Sequence, residues 1–382
     1  MVDEDNNSFK TVLIVGLGLI GGSIAIALRS LGNGIRVYGV DADPETVETA
    51  KSNGIVDDAR LSEDGAIGEF LSTGEVDLVV LAMPPRFAEE SLVQIERSGY
   101  RGAITDTAST KGQICEVAER VLSDSTRFIP GHPMSGREVS GLGGAVPGLF
   151  TGKYWILCPN ESTQGAMFLA LHSLITSIGA KCITVPREQH DDMVAVVSHV
   201  PHMAASALVK LVDEHARGEQ ELFRLAAGGF KDSTRIAASS PSLWVDIVMS
   251  NKDAISSGVD ELRQILGDLQ QMIENNDSAA LLAFLESTSR VRRRIPSSWI
   301  PKSEKLLSLR VPMENRPGTI ATVTAIAGRF GCNIQSIGID HITDETAILD
   351  LTLTDEGDIS SMMSELAEEG FDVPSGPLEV ES

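Results

Sequence analysis

The chain has 382 residues, enough at roughly 100–200 residues per domain for several cores. Its 42% hydrophobic and 22% charged composition is that of a globular protein, and 54 acidic against 31 basic side chains leave a formal charge of −23. That balance argues against nucleic acid or an anionic membrane surface as a partner, since both need Lys and Arg to neutralise phosphates; a small anionic substrate needs only a few inward-facing cations.

Residues 11–15 form a continuous apolar, β-rich run, as a buried parallel strand should. The spacing that follows predicts a helix over about 22–31. Short strands are expected at 36–40, 78–82, 103–106 and 128–130, with helices near 44–52, 86–98 and 110–123 between them. Strands alternating with helices indicate βαβ units and a mostly parallel, doubly wound sheet. Residues 154–158 and 182–185 read as later strands flanking a helix near 164–178. The uncharged run 12–28 is too rich in glycine for a membrane span, and the acidic Asp3, Glu4 and Asp5 before it have the wrong sign for a signal peptide.

From about residue 188 to 294 the strand signal stops and helical periodicity takes over, as in Leu262, Ile265, Leu266, Leu269, Met272 and Ile273. Helices this apolar are expected to bury surface against a second subunit as well as each other. The basic cluster Arg290–Arg294 suits the last turn of a helix, and Pro296-Ser297-Ser298 suits a linker. The remaining segment reads as β-α-β-β-α-β, the ferredoxin-like plan. The expected domains are therefore 1–186, an α/β Rossmann-type domain; 187–300, an all-helical domain; and 305–382, a small α+β domain. Four scattered cysteines without CxxC fit a reduced, cytoplasmic protein.

Between the first strand and helix stands Gly16-Leu17-Gly18-Leu19-Ile20-Gly21, a GxGxxG. Gly16 makes the tight turn, Gly18 lets a pyrophosphate approach the backbone, and Gly21 lets strand and helix pack closely. Asp41 follows Gly21 by 20 residues, the spacing of a carboxylate that binds the ribose 2′-hydroxyl, which favours NAD over NADP. Ala82-Met83-Pro84-Pro85 falls at the same carboxyl edge of the sheet.

Three further segments carry candidate chemistry. Asp106-Thr107-Ala108-Ser109-Thr110-Lys111 follows one strand, and Gly131-His132-Pro133-Met134-Ser135-Gly136-Arg137-Glu138 follows the next. The third set lies in the helical region: His190-Asp191, Ser198-His199-Val200-Pro201-His202, and residues 228–237 (GGFKDSTRIA) with Trp244 beyond. A dehydrogenation needs a base that titrates near neutrality, and His132 is the natural choice. Ser109 can bind the same hydroxyl or orient the imidazole, though a serine there also suits an N-cap for the next helix. Arg235 can clamp a carboxylate with two parallel hydrogen bonds. No HExxH or Cys/carboxylate cluster supports a metal beside His199 and His202, so none is expected.

The segments GLGLIGGS, DTASTK, GHPMSGRE, VSHVPH and GGFKDSTRIA occur in an order that resembles the prephenate/arogenate dehydrogenase family. Residues 309–334 (LRVPMENRPGTIATVTAIAGRFGCNI) resemble the start of an ACT-type regulatory domain. The resemblance implies NAD-dependent oxidative decarboxylation of prephenate to 4-hydroxyphenylpyruvate in tyrosine biosynthesis. By the same resemblance His132 takes the ring-hydroxyl proton and Ser109 assists. His202, Arg235 and Trp244 would face substrate, and Glu138 would join an ionic network at the pocket mouth. It also implies a homodimer through the helical domain. An amino-acid effector, tyrosine, would bind at Asn315, Pro317, Gly318, Asn333 and Ile334, although a purely structural role for that domain is an alternative. The same scaffold could serve arogenate, a different reductase chemistry, or a non-catalytic sensor of NAD and amino acid.

Overall fold

The computed structural model describes residues 9–63, 65–137, 139–216, 228–294, 306–314, 319–341, 346–354, 357–371, 373 and 378–380. By contacts, the chain divides into two compact units, Met1–Gly267 and Asp268–Ser382.

The first unit begins with six parallel strands: β1 (Thr11–Val15), β2 (Arg36–Asp41), β3 (Asp58–Leu61), β4 (Leu78–Leu81), β5 (Ala103–Asp106) and β6 (Phe128–Ile129). Their order is β3-β2-β1-β4-β5-β6. Every residue of β1 and β4 is buried, which is why both read as unbroken apolar runs rather than as alternating ones. Helices cover both faces. On one, α1 (Leu19–Ser30) and α6 (Gly165–Ser177) contribute Ile24, Leu28, Leu171 and Ile175 to the core. On the other, α3 (Ala66–Leu71), α4 (Ala88–Arg97) and α5 (Gly112–Val121) contribute Phe70, Leu92, Ile95 and Ile114. The remaining helix of this part is α2, Pro44–Ser52, whose N-cap Asp43 accepts the Thr46 N–H at 3.0 Å. The chain runs from β1 outward through β2 to β3, then returns to place β4 on the other side of β1, so a crevice opens at the carboxyl ends of those strands.

The structure corrects the sequence expectation after β6. That strand stops at Ile129, because Pro130 has no N–H to extend the ladder. The chain then starts a second sheet: β7 (Gly131–Pro133), β8 (Tyr154–Leu157) and β9 (Lys181–Thr184), in the order β7-β8-β9. His132 is therefore a strand residue, paired antiparallel with Ile156, and not part of a loop. Strand β3 and helix α3 were not expected at all; β3 has only four residues, one of them buried, and α3 only six.

Helices dominate from there: α7 (Arg187–Val194), a π-helical turn over Ala195–His199, α8 (Val200–Ala216), α9 (Gly228–Thr234), a 3-10 turn over Arg235–Ala238, α10 (Pro241–Ser250), α11 (Lys252–Glu274) and α12 (Ser278–Arg294). The continuous run Arg187–Ala216 has a mean hydropathy of 1.3 in its most apolar window, long and apolar enough by composition to cross a membrane. Its buried His190, His199 and His202 belong instead to the polar cluster described below.

The second unit contains β10 (Leu306–Glu314), α13 (Thr319–Arg329), β11 (Ile334–His341), β12 (Thr346–Thr354), α14 (Ile359–Glu368) and β13 (Leu378–Val380). All its strand pairs are antiparallel, in the order β11-β12-β10-β13. Leu309, Val311, Leu349 and Leu351 pack beneath the helix residues Val323, Ile326, Met362 and Leu366.

Candidate active site

The glycine loop joins β1 to α1 at the crevice. Gly16 has φ +95°, and a Cβ there would lie 2.7 Å from the Ala82 carbonyl carbon and the Met83 nitrogen. A Cβ at Gly21 would lie 1.9 Å from the Gly16 oxygen, so strand and helix approach only because both residues lack side chains. Gly18 differs: it N-caps α1, and a Cβ there would meet nothing within 4 Å. The open space over Gly18, at a helix N-terminus of positive potential, is what a pyrophosphate requires. Asp41 ends β2 beside this loop. Its carboxylate accepts the Leu17 N–H at 2.6 Å and the Asp43 N–H at 2.9 Å, which fixes its orientation. The residues present thus fit a dinucleotide.

His132 stands at the centre of a buried polar chain. Its Nδ1 lies 3.0 Å from Nε2 of His190, whose Nδ1 lies 2.7 Å from Asp191 Oδ1. The Asp191 carboxylate also accepts the N–H groups of Lys111 and Gly112, each at 2.8 Å, and so caps α5. Burial works to raise its pKa. The hydrogen bonds from His190, Lys111 and Gly112 outweigh that and hold it below the ordinary carboxylate range. With Asp191 ionised, each ring presents its N–H toward the carboxylate: His190 donates to Asp191, and His132 donates to His190. His132 Nε2 is then an acceptor, with no protein partner among the described residues. Burial, the Lys111 charge and the two neighbouring imidazoles push the His132 pKa well below 6.5, so the ring is neutral at pH 7.

A second strand of contacts joins this chain to the helices. Asn251, just after α10, donates from Nδ2 to the Asp191 carbonyl at 2.8 Å and lies 3.3 Å from His199 Nδ1. His199 closes the π turn, an insertion that re-aims the helix face and often marks functional positions. Burial pushes its pKa down to about 4. Trp244 meets His199 edge-on and stacks on His202, with ring centroids 3.5 Å apart and planes 12° from parallel. His202 is buried, and its Nδ1 has no hydrogen-bond partner among the described residues.

The structure thus brings His132, His202 and Trp244 into one connected cluster. Ser109 lies half-buried in the loop between β5 and α5. It does not cap α5; Asp191 does, and the Ser109 hydroxyl has no partner among the described residues. Arg235 is exposed on the 3-10 turn that packs against α8, the helix of His202. Glu138, Asn315, Pro317 and Gly318 lie outside the described residues. Asn333 is exposed before β11 and accepts the Thr354 N–H at 3.0 Å through its carbonyl, while Ile334 packs at the margin of the second unit's core.

Sequence reasoning singled out His190-Asp191 and DTASTK but assigned no role to His190, Asp191, Asp106, Lys111 or Asn251. The available signal was composition: two charged residues inside a segment otherwise expected to be buried at a strand end.

Family models described as the nucleotide-binding and dimerization domains of prephenate dehydrogenase match residues 24–184 and 186–287. The chain is 33% identical over 340 residues to a prephenate dehydrogenase of Bacillus subtilis, covering 87% of this chain and 89% of that protein. A crystal structure of A. aeolicus prephenate dehydrogenase, in complex with hydroxyphenyl propionate and NAD+, superposes with a TM-score of 0.69 at 32% identity, covering 76% of this chain and 99% of the other. Synechocystis arogenate dehydrogenase gives a TM-score of 0.62 at 28% identity, covering 75% and 100%. With both domains matched in order, the chain belongs to the prephenate dehydrogenase family.

Proposed function

We propose that the chain is an NAD-dependent prephenate dehydrogenase that forms 4-hydroxyphenylpyruvate and carbon dioxide. The observation that carries this is the buried chain His132–His190–Asp191, which leaves one imidazole nitrogen as acceptor in the same domain as the glycine loop. Gly16, Gly18, Gly21 and Asp41 would hold the dinucleotide. When bound, NAD accepts the hydride from the carbon that bears the substrate hydroxyl.

The protein's own task is to manage one proton and two carboxylates. His132 Nε2 takes the hydroxyl proton, and Ser109 Oγ steadies the same oxygen. The positive charge that develops on His132 is shared through His190 toward ionised Asp191, which lowers the barrier to proton transfer by electrostatic preorganisation. When the ring carboxylate leaves as carbon dioxide, its electron pair enters the ring, and the phenolate oxygen recovers the proton from His132. Aromatisation supplies the driving force. Arg235, His202 and Trp244 position the substrate; Arg235 supplies the fixed cation that an anionic substrate requires.

The helical region presents Val196, Val197, Met249 and Leu266 more than half exposed, apolar surface of the kind an obligate interface covers. Together with the dimerization-domain match this supports a homodimer. The second unit's βαββαβ order and antiparallel sheet support an ACT-type domain, for which tyrosine is the proposed effector. The test is NADH formation with prephenate or with arogenate, each with and without tyrosine. Turnover on prephenate supports the reading, and turnover confined to arogenate transfers it to that substrate, in keeping with the Synechocystis likeness. No NADH from either overturns it.

A further inference from the structure

We infer that Lys111 is a positioning residue for His132, carrying both supports of the imidazole at once: its ammonium holds the backbone just before the histidine, and its own N–H holds the carboxylate that ends the imidazole chain. The inference rests on the reading of His132 as proton acceptor.

The contacts close a ring. Lys111 Nζ donates to the Gly131 carbonyl at 2.6 Å, one residue before His132. From there the path runs through His132 Nδ1 to His190 Nε2 at 3.0 Å and on to Asp191 Oδ1 at 2.7 Å. It returns to Lys111 through the backbone N–H, 2.8 Å from the same Asp191 oxygen. Asp106 braces the ring from inside: it pairs with the Lys111 ammonium and accepts the Gly131 N–H at 3.0 Å and the Ala108 N–H at 2.9 Å. Both side chains of the Lys111–Asp106 pair are 0% exposed.

A buried ion pair of this kind is a poor device for stability, since apolar residues of equal volume serve as well. Its effect here is geometric and electrostatic. It locks β7 to the end of β5, so His132 cannot slide relative to the crevice. It also sets a positive charge beside the ring, which opposes protonation before substrate arrives. The other groups facing His132 are His190 from α7, which is backed by Asp191, and His199 from the π turn. Cys158, after β8, and Cys115, on α5, face the Lys111–Asp106 pair and remain neutral thiols, pushed up by burial to about 12. Burial is the largest influence lowering the His132 pKa, and the Lys111 charge comes next.

The test compares the full chain with Lys111→Met and with the charge-balanced double variant Lys111→Met/Asp106→Asn. NAD affinity, followed by tryptophan quenching, reports that each is folded. The readouts are the His132 titration in histidine-labelled protein, assigned by its loss in His132→Asn, and the acid limb of the kcat/KM profile. Expected are NAD affinity unchanged in both variants, His132 titrating above its parent value in Lys111→Met, where Asp106 remains, and kcat down about 10–100-fold in the double variant. A folded double variant whose titration and kcat match the parent overturns the inference. If neither variant folds, Lys111→Gln, which keeps a donor for the Gly131 carbonyl and removes the charge, is read the same way: parent titration with parent kcat there overturns the inference. The NMR titration needs no turnover, so absence of NADH from both substrates would refute the proposed reaction while leaving the role of Lys111 to be read on its own.

Discussion

His132 Nδ1 and His190 Nε2 lie 3.0 Å apart in a buried site, and the hydrogen between them can sit on only one ring. Because His190 also faces ionised Asp191, that hydrogen belongs to His132, which leaves its Nε2 as the base. We expect His132→Asn to lower kcat by about 10²–10⁴-fold, the weight of a general base. His190→Asn keeps the base but frees its tautomer, so a smaller loss of about 10–10³-fold is expected, with substrate KM nearly unchanged. Steady-state kinetics check both; a His190 variant at full kcat would remove the relay.

The glycines separate stability from binding. A Cβ at Gly21 would overlap the Gly16 oxygen at 1.9 Å, so Gly21→Ala should cost several kcal/mol and yield little folded protein. A Cβ at Gly18 meets nothing within 4 Å, so Gly18→Ala should melt like the parent yet bind NAD about tenfold more weakly. Thermal melts with and without NAD distinguish the two. Equal NAD affinity in Gly18→Ala would place the pyrophosphate elsewhere.

Much of this was legible beforehand where one residue type admits one conformation. Strands β1 and β4 were readable because a strand buried on both faces is an apolar run. The positions of Gly16 and Gly21 were readable because nothing larger fits there. The switch of sheets at Pro130 was not, because a two-residue β6 and a three-residue β7 leave no periodicity to detect. Nor was the cap on α5: the expected cap, Ser109, is local, whereas the observed one, Asp191, comes from 80 residues away. Contacts of that range depend on how α7 docks against α5, which no local pattern encodes.

Burial of neutral histidines makes the fold sensitive to acid. His199 is pushed down to about 4 and His132 is also lowered, whereas an unfolded histidine titrates near 6.5. Between those values the unfolded chain binds protons that the native chain refuses. Stability is therefore full above pH 6.5 and falls as pH drops toward 4. The urea midpoint should decline over that window, and His199→Gln should flatten the decline. An unchanged slope would show that His199 takes up protons as readily in the fold as in the unfolded chain.

Arg235 is exposed on a turn that packs against the helix of His202, a placement suited to a long cation reaching toward an incoming carboxylate. A charge-assisted hydrogen bond contributes about 1.5–3 kcal/mol, so Arg235→Gln should raise prephenate KM about 10–100-fold. Because the guanidinium grips a carboxylate and takes no part in proton transfer, kcat should change less than KM. Loss of kcat at constant KM would move Arg235 out of the binding role.

Trp244 holds His202 by a near-parallel stack at 3.5 Å while touching His199 by its edge, so one indole sets two imidazoles. Aromatic pairs of this kind contribute about 0.5–1.5 kcal/mol beyond their burial. Removing the ring by Trp244→Leu should let His202 rotate, and substrate KM should rise about threefold to tenfold. Trp244→Phe keeps a flat face against His202 and should recover most of the loss. The path from Trp244 to His132 runs through His199, Asn251, Asp191 and His190 in turn, so the acid limb of the kcat/KM profile should stay in place in both variants. A shift of that limb in Trp244→Leu would mean that the stack tunes the base itself, and the division between substrate positioning by α10 and proton handling by β7 and α7 would fail.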